Sequence, residues 1–191
     1  NSNLPFEKCN LKDVDVAIDF STPETAFNNI SHAIKNNIPI ISGTTGWLEK
    51  LEEIKKLCTQ HNGSFLYASN FSIGVNMFYK LNIELAKLMQ DKIYTTSISE
   101  THHLEKLDKP SGTAKILSKD IQKELKITPN IISHRTENKI GTHEIKYESE
   151  IDSIKIVHEA NTRDGFAYGA LLAAEWIINK KGIFSMQDVL S

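Results

Sequence analysis

Val14-Asp15-Val16-Ala17-Ile18-Asp19-Phe20-Ser21-Thr22-Pro23-Glu24 decides the fold. Residues 14–20 begin as an alternation and close in an apolar run, the pattern of a strand buried on both faces. Ser21 ends that run. Ser21 and Glu24 stand at capping-box spacing and Pro23 falls in the first turn, so a helix is predicted over 23–36 with Ala26, Phe27, Ile30, Ala33 and Ile34 on its apolar face. A short strand at 39–42 then runs into Gly43-Thr44-Thr45-Gly46. A helix follows on Leu48, Leu51, Ile54, Leu57 and Cys58, and a third strand at 65–68. Strand, helix, strand, helix, strand is the order of a parallel sheet with right-handed crossovers. Ligands of such sheets bind at the carboxyl ends of the strands. Three short polar loops stand there: Ser21-Thr22, Gly43 to Gly46, and Ser69-Asn70-Phe71-Ser72.

Downstream the pattern changes. A helix over 73–90 carries Val75, Phe78, Tyr79, Leu81, Leu85, Leu88 and Met89, and a strand at 93–99 delivers Glu100 and two histidines at its end. A helix at 114–125 precedes three strands, 131–134, 143–149 and 154–160, which predict an antiparallel or mixed sheet open on one face. Residues 135–141 read as a polar, flexible loop. The last helix, 166–179, is apolar nearly all round and is expected to be well buried. The fold class is therefore α/β: a partial Rossmann-like parallel-sheet domain, then an α+β domain with an open mixed sheet.

The chemistry concentrates in Glu100-Thr101-His102-His103-Leu104-Glu105-Lys106-Leu107-Asp108-Lys109-Pro110-Ser111-Gly112-Thr113. An imidazole exchanges protons near neutrality, and an ammonium beside it supplies charge or a second proton. Ser111-Gly112-Thr113 opens a helix with unpaired N–H groups, and Gly112 lets a ligand approach the main chain, which suits a carboxylate or phosphate. Each feature alone is commonplace, since histidine pairs often decorate loops and Pro-Ser-Gly-Thr is an ordinary helix start. Together on fourteen residues they predict proton transfer to a small anion.

Composition excludes several classes. A hydrophobic content of 40% over 191 residues is enough for a packed core, and a net charge of −2 with scattered Lys and Arg argues against nucleic acid. No apolar run approaches the roughly 20 residues of a spanning helix, so no membrane partner is expected. Cys9 and Cys58 are too few and too separated for a disulfide framework or a zinc cluster, which fits a cytoplasmic protein.

The stretch from His102-His103 through Lys106, Asp108, Pro110, Ser111, Gly112 and Thr113 resembles the signature segment of the dihydrodipicolinate reductase family, also called 4-hydroxy-tetrahydrodipicolinate reductases. Residues 18–24, 43–46 and 68–76 resemble further family segments in the right order, and residues 165–176 resemble its final helix. The resemblance implies reduction of a cyclic, unsaturated imine dicarboxylate by NADH or NADPH in lysine and diaminopimelate biosynthesis. It implies a nucleotide-binding domain at 1–72, a substrate-binding and tetramerisation domain at 73–161, and a C-terminal helix at 162–191 returning to the first. By motif position His102 is the catalytic proton donor or acceptor and Lys106 the second donor. His103, Gly112 and Thr113 bind substrate carboxylate. Gly43, Thr44, Thr45, Ala68, Ser69, Asn70 and Phe71 are the cofactor-binding positions, and no metal is expected. The family's Gly-rich pyrophosphate turn has no counterpart before the first strand, which leaves the choice of NADH or NADPH open. A homotetramer is expected from the resemblance. The rivals are a non-catalytic substrate-binding and oligomerisation fragment, and a metal-dependent hydrolase using Glu100, His102, His103, His143 and His158.

Overall fold

A computed structural model describes residues 11–191, so Cys9 lies outside the described residues. Two units form: one runs to Ser72 and resumes over Phe166–Ser191, the other is Ile73–Gly165.

In the first unit β1 (Ala17–Asp19), β2 (Ile40–Ser42), β3 (Ser64–Tyr67) and β8 (Gly182–Phe184) pair in parallel in that spatial order. Alternation sends neighbouring side chains to opposite faces. Ile40 and Phe65 join Ala26, Ile30 and Ile34 of α1 (Pro23–Lys35) and Ile54 and Cys58 of α2 (Leu51–Gln60). Ile41 and Leu66 join Ala170, Ala173, Ala174 and Ile177 of α5 (Asp164–Ile177) on the other face. Burial on both faces is why β2 and β3 read as continuous apolar runs.

Three expectations are corrected in this unit. Strand β1 is shorter than 14–20 and lies at the edge of the described sheet, so Ile18 and Phe20 stay 46% and 57% exposed instead of buried on both faces. Helix α1 is capped by Thr22, whose N–H donates to Thr25 Oγ1 at 3.3 Å, while Ser21 turns back to the strand tips. Helix α5 buries one face, Gly169, Ala170, Ala173, Ala174 and Ile177, and Tyr168 and Leu171 remain exposed. Strand β8 and helix α6 (Met186–Val189) were not anticipated, since three and four residues are too few to show a period.

The second unit is a mixed sheet ordered β5 (Asn130–Arg135), β4 (Thr95–His102), β6 (Gly141–Glu148), β7 (Ser153–Ala160), parallel only between β4 and β5. Its register aligns Ile131, Ile98, Ile145 and Ile156 across the sheet. That row packs with Val75 and Phe78 of α3 (Ile73–Leu88) and Leu117 and Ile121 of α4 (Gly112–Leu125). One residue over, Ile132, Ser99, Glu144 and Val157 align on the opposite face, where Ile132 and Val157 are exposed. Strand β4 starts at Thr95 and extends to His102, where a strand at 93–99 was expected, and Arg135 closes β5 where a flexible loop was expected. Among the described residues no helix is long and apolar enough to cross a membrane.

Candidate active site

Because β4 runs on to His102, its alternation buries Thr96, Ile98, Glu100 and His102 in one row. The strand's hydrophobic pattern is thus continued by two titratable groups. Register places Glu100 between Ser133 on β5 and His143 on β6, and His143 beside His158 on β7. The Glu100 side chain is fully buried, and His102 and His143 are 7% and 4% exposed.

A buried carboxylate is costly unless paired, and Glu100 is paired. Its Oε1 accepts from Arg135 Nη1 and Nη2, both at 3.2 Å, and from the Ser111 N–H at 3.3 Å. Its Oε2 lies 2.7 Å from His102 Nδ1, close but out of line for a well-formed hydrogen bond. Burial pushes the Glu100 carboxyl up, but Ser133, Ser111, His102 and Arg135 outweigh it and hold the group below its ordinary value. Burial lowers His102, assisted by Lys106 and Arg135 and opposed by Glu100. Burial, then the neighbouring His102, brings His143 down to about 4.

Arg135 also fixes the loop that follows β4. Its Nε donates to the Lys106 carbonyl at 3.2 Å and its Nη2 to the Asp108 carbonyl at 2.6 Å. Lys106 Nζ meets Asp108 Oδ1 at 2.7 Å, and the Gly112 N–H donates to Asp108 Oδ2 at 3.3 Å. An internal carboxylate therefore sits between the ammonium and the first turn of α4. Burial would raise Asp108, but Lys106 and that N–H hold it below the usual range. Ser111 caps α4 by accepting the Ala114 N–H at 3.2 Å, and its hydroxyl lies 3.2 Å from His143 Nε2. A side chain at Gly112 would meet nothing within 4 Å, so the helix start is open.

The structure thus brings His102, Lys106 and Gly112 into one hydrogen-bonded array. Thr113 stands next in the first turn of α4. His103 points away from His102, its Nδ1 2.8 Å from Glu105 and its Nε2 3.4 Å from Arg163 Nη2. It borders a cleft of about 740 Å³ that Lys139 and Arg163 also line. Sequence reasoning weighed Glu100 only as a ligand of the rival metal site and gave Arg135 no role, because a single Arg after a short strand carries no periodic signal. Only the β4–β5 register brings the two together.

Glu100, His102 and His143 also bring one donor atom each within 4.8 Å of one another, a smaller set than the five residues weighed for a hydrolase. Arg135 already neutralises Glu100, and both histidines feel Lys106. A dication entering there would meet the Arg135 and Lys106 cations as well as the Glu100 carboxylate.

In the first unit the cofactor candidates divide by what their side chains do. Thr44 is a strut: Oγ1 accepts from the Ser21 N–H and donates to Asp19 Oδ2, both at 2.8 Å, and its carbonyl accepts from Trp47 Nε1 at 2.7 Å. Asp19 is its anchor, also accepting from Ser42 Oγ at 2.8 Å and Ser21 Oγ at 2.7 Å. Phe71 and Ala68 are buried, while Thr45 and Ser69 are exposed at the ends of β2 and β3. Gly43 lies under the half-exposed Phe20 ring, and a Cβ there would come within 2.2 Å of it. The exposed Thr45 and Ser69, the Thr44 loop held by the Asp19 carboxylate and the exposed Phe20 ring fit the polar and flat parts of a nicotinamide nucleotide.

Comparison with known proteins agrees with this chemistry. Residues 5–71 match the family model for the N-terminus of dihydrodipicolinate reductase, and residues 74–190 the model for its C-terminus. The chain is 47% identical over 192 residues to a 4-hydroxy-tetrahydrodipicolinate reductase of Christiangramia forsetii, covering 94% of this chain and 80% of that protein. It is 35% identical over 195 residues to one of Methanoregula boonei, covering 94% and 76%. A dipicolinate-bound dihydrodipicolinate reductase from Paenisporosarcina sp. TG-14 shares the fold, with a TM-score of 0.73, 24% identity, and coverage of 91% of this chain and 73% of that one. A nucleotide-type parallel sheet, an acid–base strand end and these matches over nearly the whole chain converge: it belongs to the dihydrodipicolinate reductase family, NAD(P)H-dependent oxidoreductases of lysine and diaminopimelate biosynthesis.

Proposed function

We propose that His102 and Lys106 manage the protons of this reduction and that His103, Gly112 and Thr113 hold the substrate's carboxylates. The observation that carries the reading is Asp108, an internal carboxylate seated between the Lys106 ammonium and the Gly112 N–H. What accepts one carboxylate there can accept another, since both donors suit any small planar anion. NADH or NADPH supplies the hydride when bound. Hydride addition to a conjugated C=C–C=N system leaves negative charge on its far atoms. His102 then delivers a proton, and Lys106 stabilises the developing charge and provides a second donor. Burial and the fixed Arg135 clamp keep these groups in place without reorganisation during the reaction.

On this reading the first unit serves the nucleotide, through Gly43, Thr44, Thr45 and residues 68–71, and Ile73–Gly165 serves the substrate. Thr44 acts by bracing its loop and Thr45 and Ser69 by contact. We propose a homotetramer assembled through the open sheet face bearing Ile132 and Val157, working in a reducing cytoplasm, where the buried free thiol of Cys58 is stable.

The test is fluorescence titration of the protein with NADH and NADPH, with and without pyridine-2,6-dicarboxylate as a planar substrate mimic, in wild type and Lys106→Met. Saturable nucleotide binding that the mimic tightens, with mimic binding lost in Lys106→Met, is the expected result. Equal mimic binding by wild type and Lys106→Met would refute the reading that the Lys106 ammonium and the Gly112 N–H together form a carboxylate site.

A further inference from the structure

We propose that Glu100 is the positioning residue of the site: held by Arg135, it sets the His102 ring with Nδ1 against the carboxylate and Nε2 over Gly141, in register with the Lys106 loop. The inference rests on His102 as the proton donor, as read above.

Four observations carry it. The two oxygens of Glu100 are used differently, Oε1 accepting from Arg135 and the Ser111 N–H and Oε2 lying 2.7 Å from His102 Nδ1, with the Ser133 side chain also acting on the carboxylate. Neither Oε2 nor Nδ1, both buried, has a hydrogen-bond partner elsewhere among the described residues. An ionised carboxylate only accepts, and a neutral imidazole carries one N–H, so in the neutral ring the proton belongs on Nδ1 and the lone pair on Nε2; the ring donates only as the imidazolium, giving up the second proton that Nε2 has taken on. Gly141 supplies the third observation. A Cβ there would stand 3.1 Å from His102 Nε2, so the missing side chain keeps that nitrogen clear. Fourth, the guanidinium that grips Glu100 also grips the carbonyls of Lys106 and Asp108. One carboxylate thereby registers the acid–base ring, the loop with the second cation, and, through the Ser111 N–H, the helix start.

The charged and titratable groups facing His102 are Glu100 on its own strand, Lys106 on the following loop, Arg135 on β5 and His143 on β6, with His158 beyond His143 on β7. Of these only Glu100 favours the imidazolium. Removing its charge while keeping its shape must therefore move proton loss from His102 to lower pH.

The experiment compares wild type, Glu100→Gln, Gly141→Ala and His102→Gln in the intact enzyme with NADH or NADPH. It reads kcat and KM against pH, and the histidine tautomer by long-range nitrogen–proton NMR, with His102→Gln assigning the resonance. Glu100→Gln is expected to lower kcat by about 10²–10⁴ with KM nearly unchanged. Its high-pH limb should fall about 1–3 units lower, and the Nδ1–H tautomer should become mixed. Gly141→Ala, which leaves the Glu100–Arg135 pair intact, should keep the Nδ1–H tautomer and the fold yet lose at least ten-fold in kcat. A Glu100→Gln enzyme with the wild-type limb and tautomer overturns the proposal. If that variant fails to fold, wild-type kcat in Gly141→Ala overturns it instead. Full activity in His102→Gln would sink the proton-donor reading, and the tautomer in Glu100→Gln would still decide whether Glu100 orients the ring.

Discussion

Lowering the pH from 7.5 to 5 should cost the folded protein about 2 kcal/mol through His143 alone. This side chain is 4% exposed, packed between His102 and His158 with its Nε2 beside the Ser111 hydroxyl. Burial first, then the field of His102, brings its pKa from 6.5 to about 4. In the unfolded chain the imidazole takes up a proton near 6.5, while the folded protein refuses it until about 4. Between those values the unfolded state binds more protons, so the stabilisation is whole above 6.5 and is lost as the pH falls toward 4. At about 1.36 kcal/mol per unit, roughly 2 kcal/mol has gone by pH 5 and roughly 3 by pH 4. His158, also lowered by burial, acts in the same direction. Glu100, held below its ordinary 4.5, contributes stability that is lost only at more acid pH, which leaves the window from 7.5 to 5 to the histidines. The assay is urea unfolding at half-unit steps of pH, for wild type and for His143→Gln, whose amide can still reach Ser111. The difference between the two stability curves should grow by about 2 kcal/mol from pH 7.5 to 5. Curves that run parallel across that window would show that His143 is not buried in its neutral form, and the argument from burial would fail.

Two further substitutions probe the first unit. Gly169→Ala in α5 should destabilise by about 1–3 kcal/mol by thermal or urea melting, although Ala is the better helix former. The added Cβ would stand 1.8 Å from the Phe71 carbonyl oxygen, and unchanged or improved stability would refute that packing. Asp19→Ala strips the acceptor from Ser21, Ser42 and Thr44 together, and about 1–3 kcal/mol of stability should go with it. Nucleotide affinity should weaken as the Thr44 loop loosens. Wild-type affinity in a folded Asp19→Ala protein would show that the loop holds its shape without the hub.

Much of the fold was legible because it follows local rules. Ile40-Ile41 and Phe65-Leu66 are apolar on both strand faces, and only a sheet covered on both sides explains that. The boundary of β4 was not legible. Glu100 and His102 break the hydrophobic pattern, so a reading by hydrophobicity stops at Ser99, whereas the chain keeps its alternation because Arg135 and Ser111 neutralise what is buried. Thr22 took the cap expected of Ser21 because Asp19 and Thr44 offered Ser21 better partners across the strand tips. Of the site, His102, Lys106 and the Gly112 helix start could be read from their spacing. Gly141 could not, since its role appears only opposite His102 across the β4–β6 pair.

The sequence by itself determined the order of the longer elements and the family, and it singled out the candidate acid–base residues, because periodicity, caps and motifs act over a few neighbours along the chain. Tertiary structure alone decided what those residues are held by. Arg135 lies 35 positions from Glu100, His143 32 from Ser111, and Thr44 25 from Asp19. Buried charge must find its partner in space, and which residue that is depends on strand register, which no local pattern in the chain encodes.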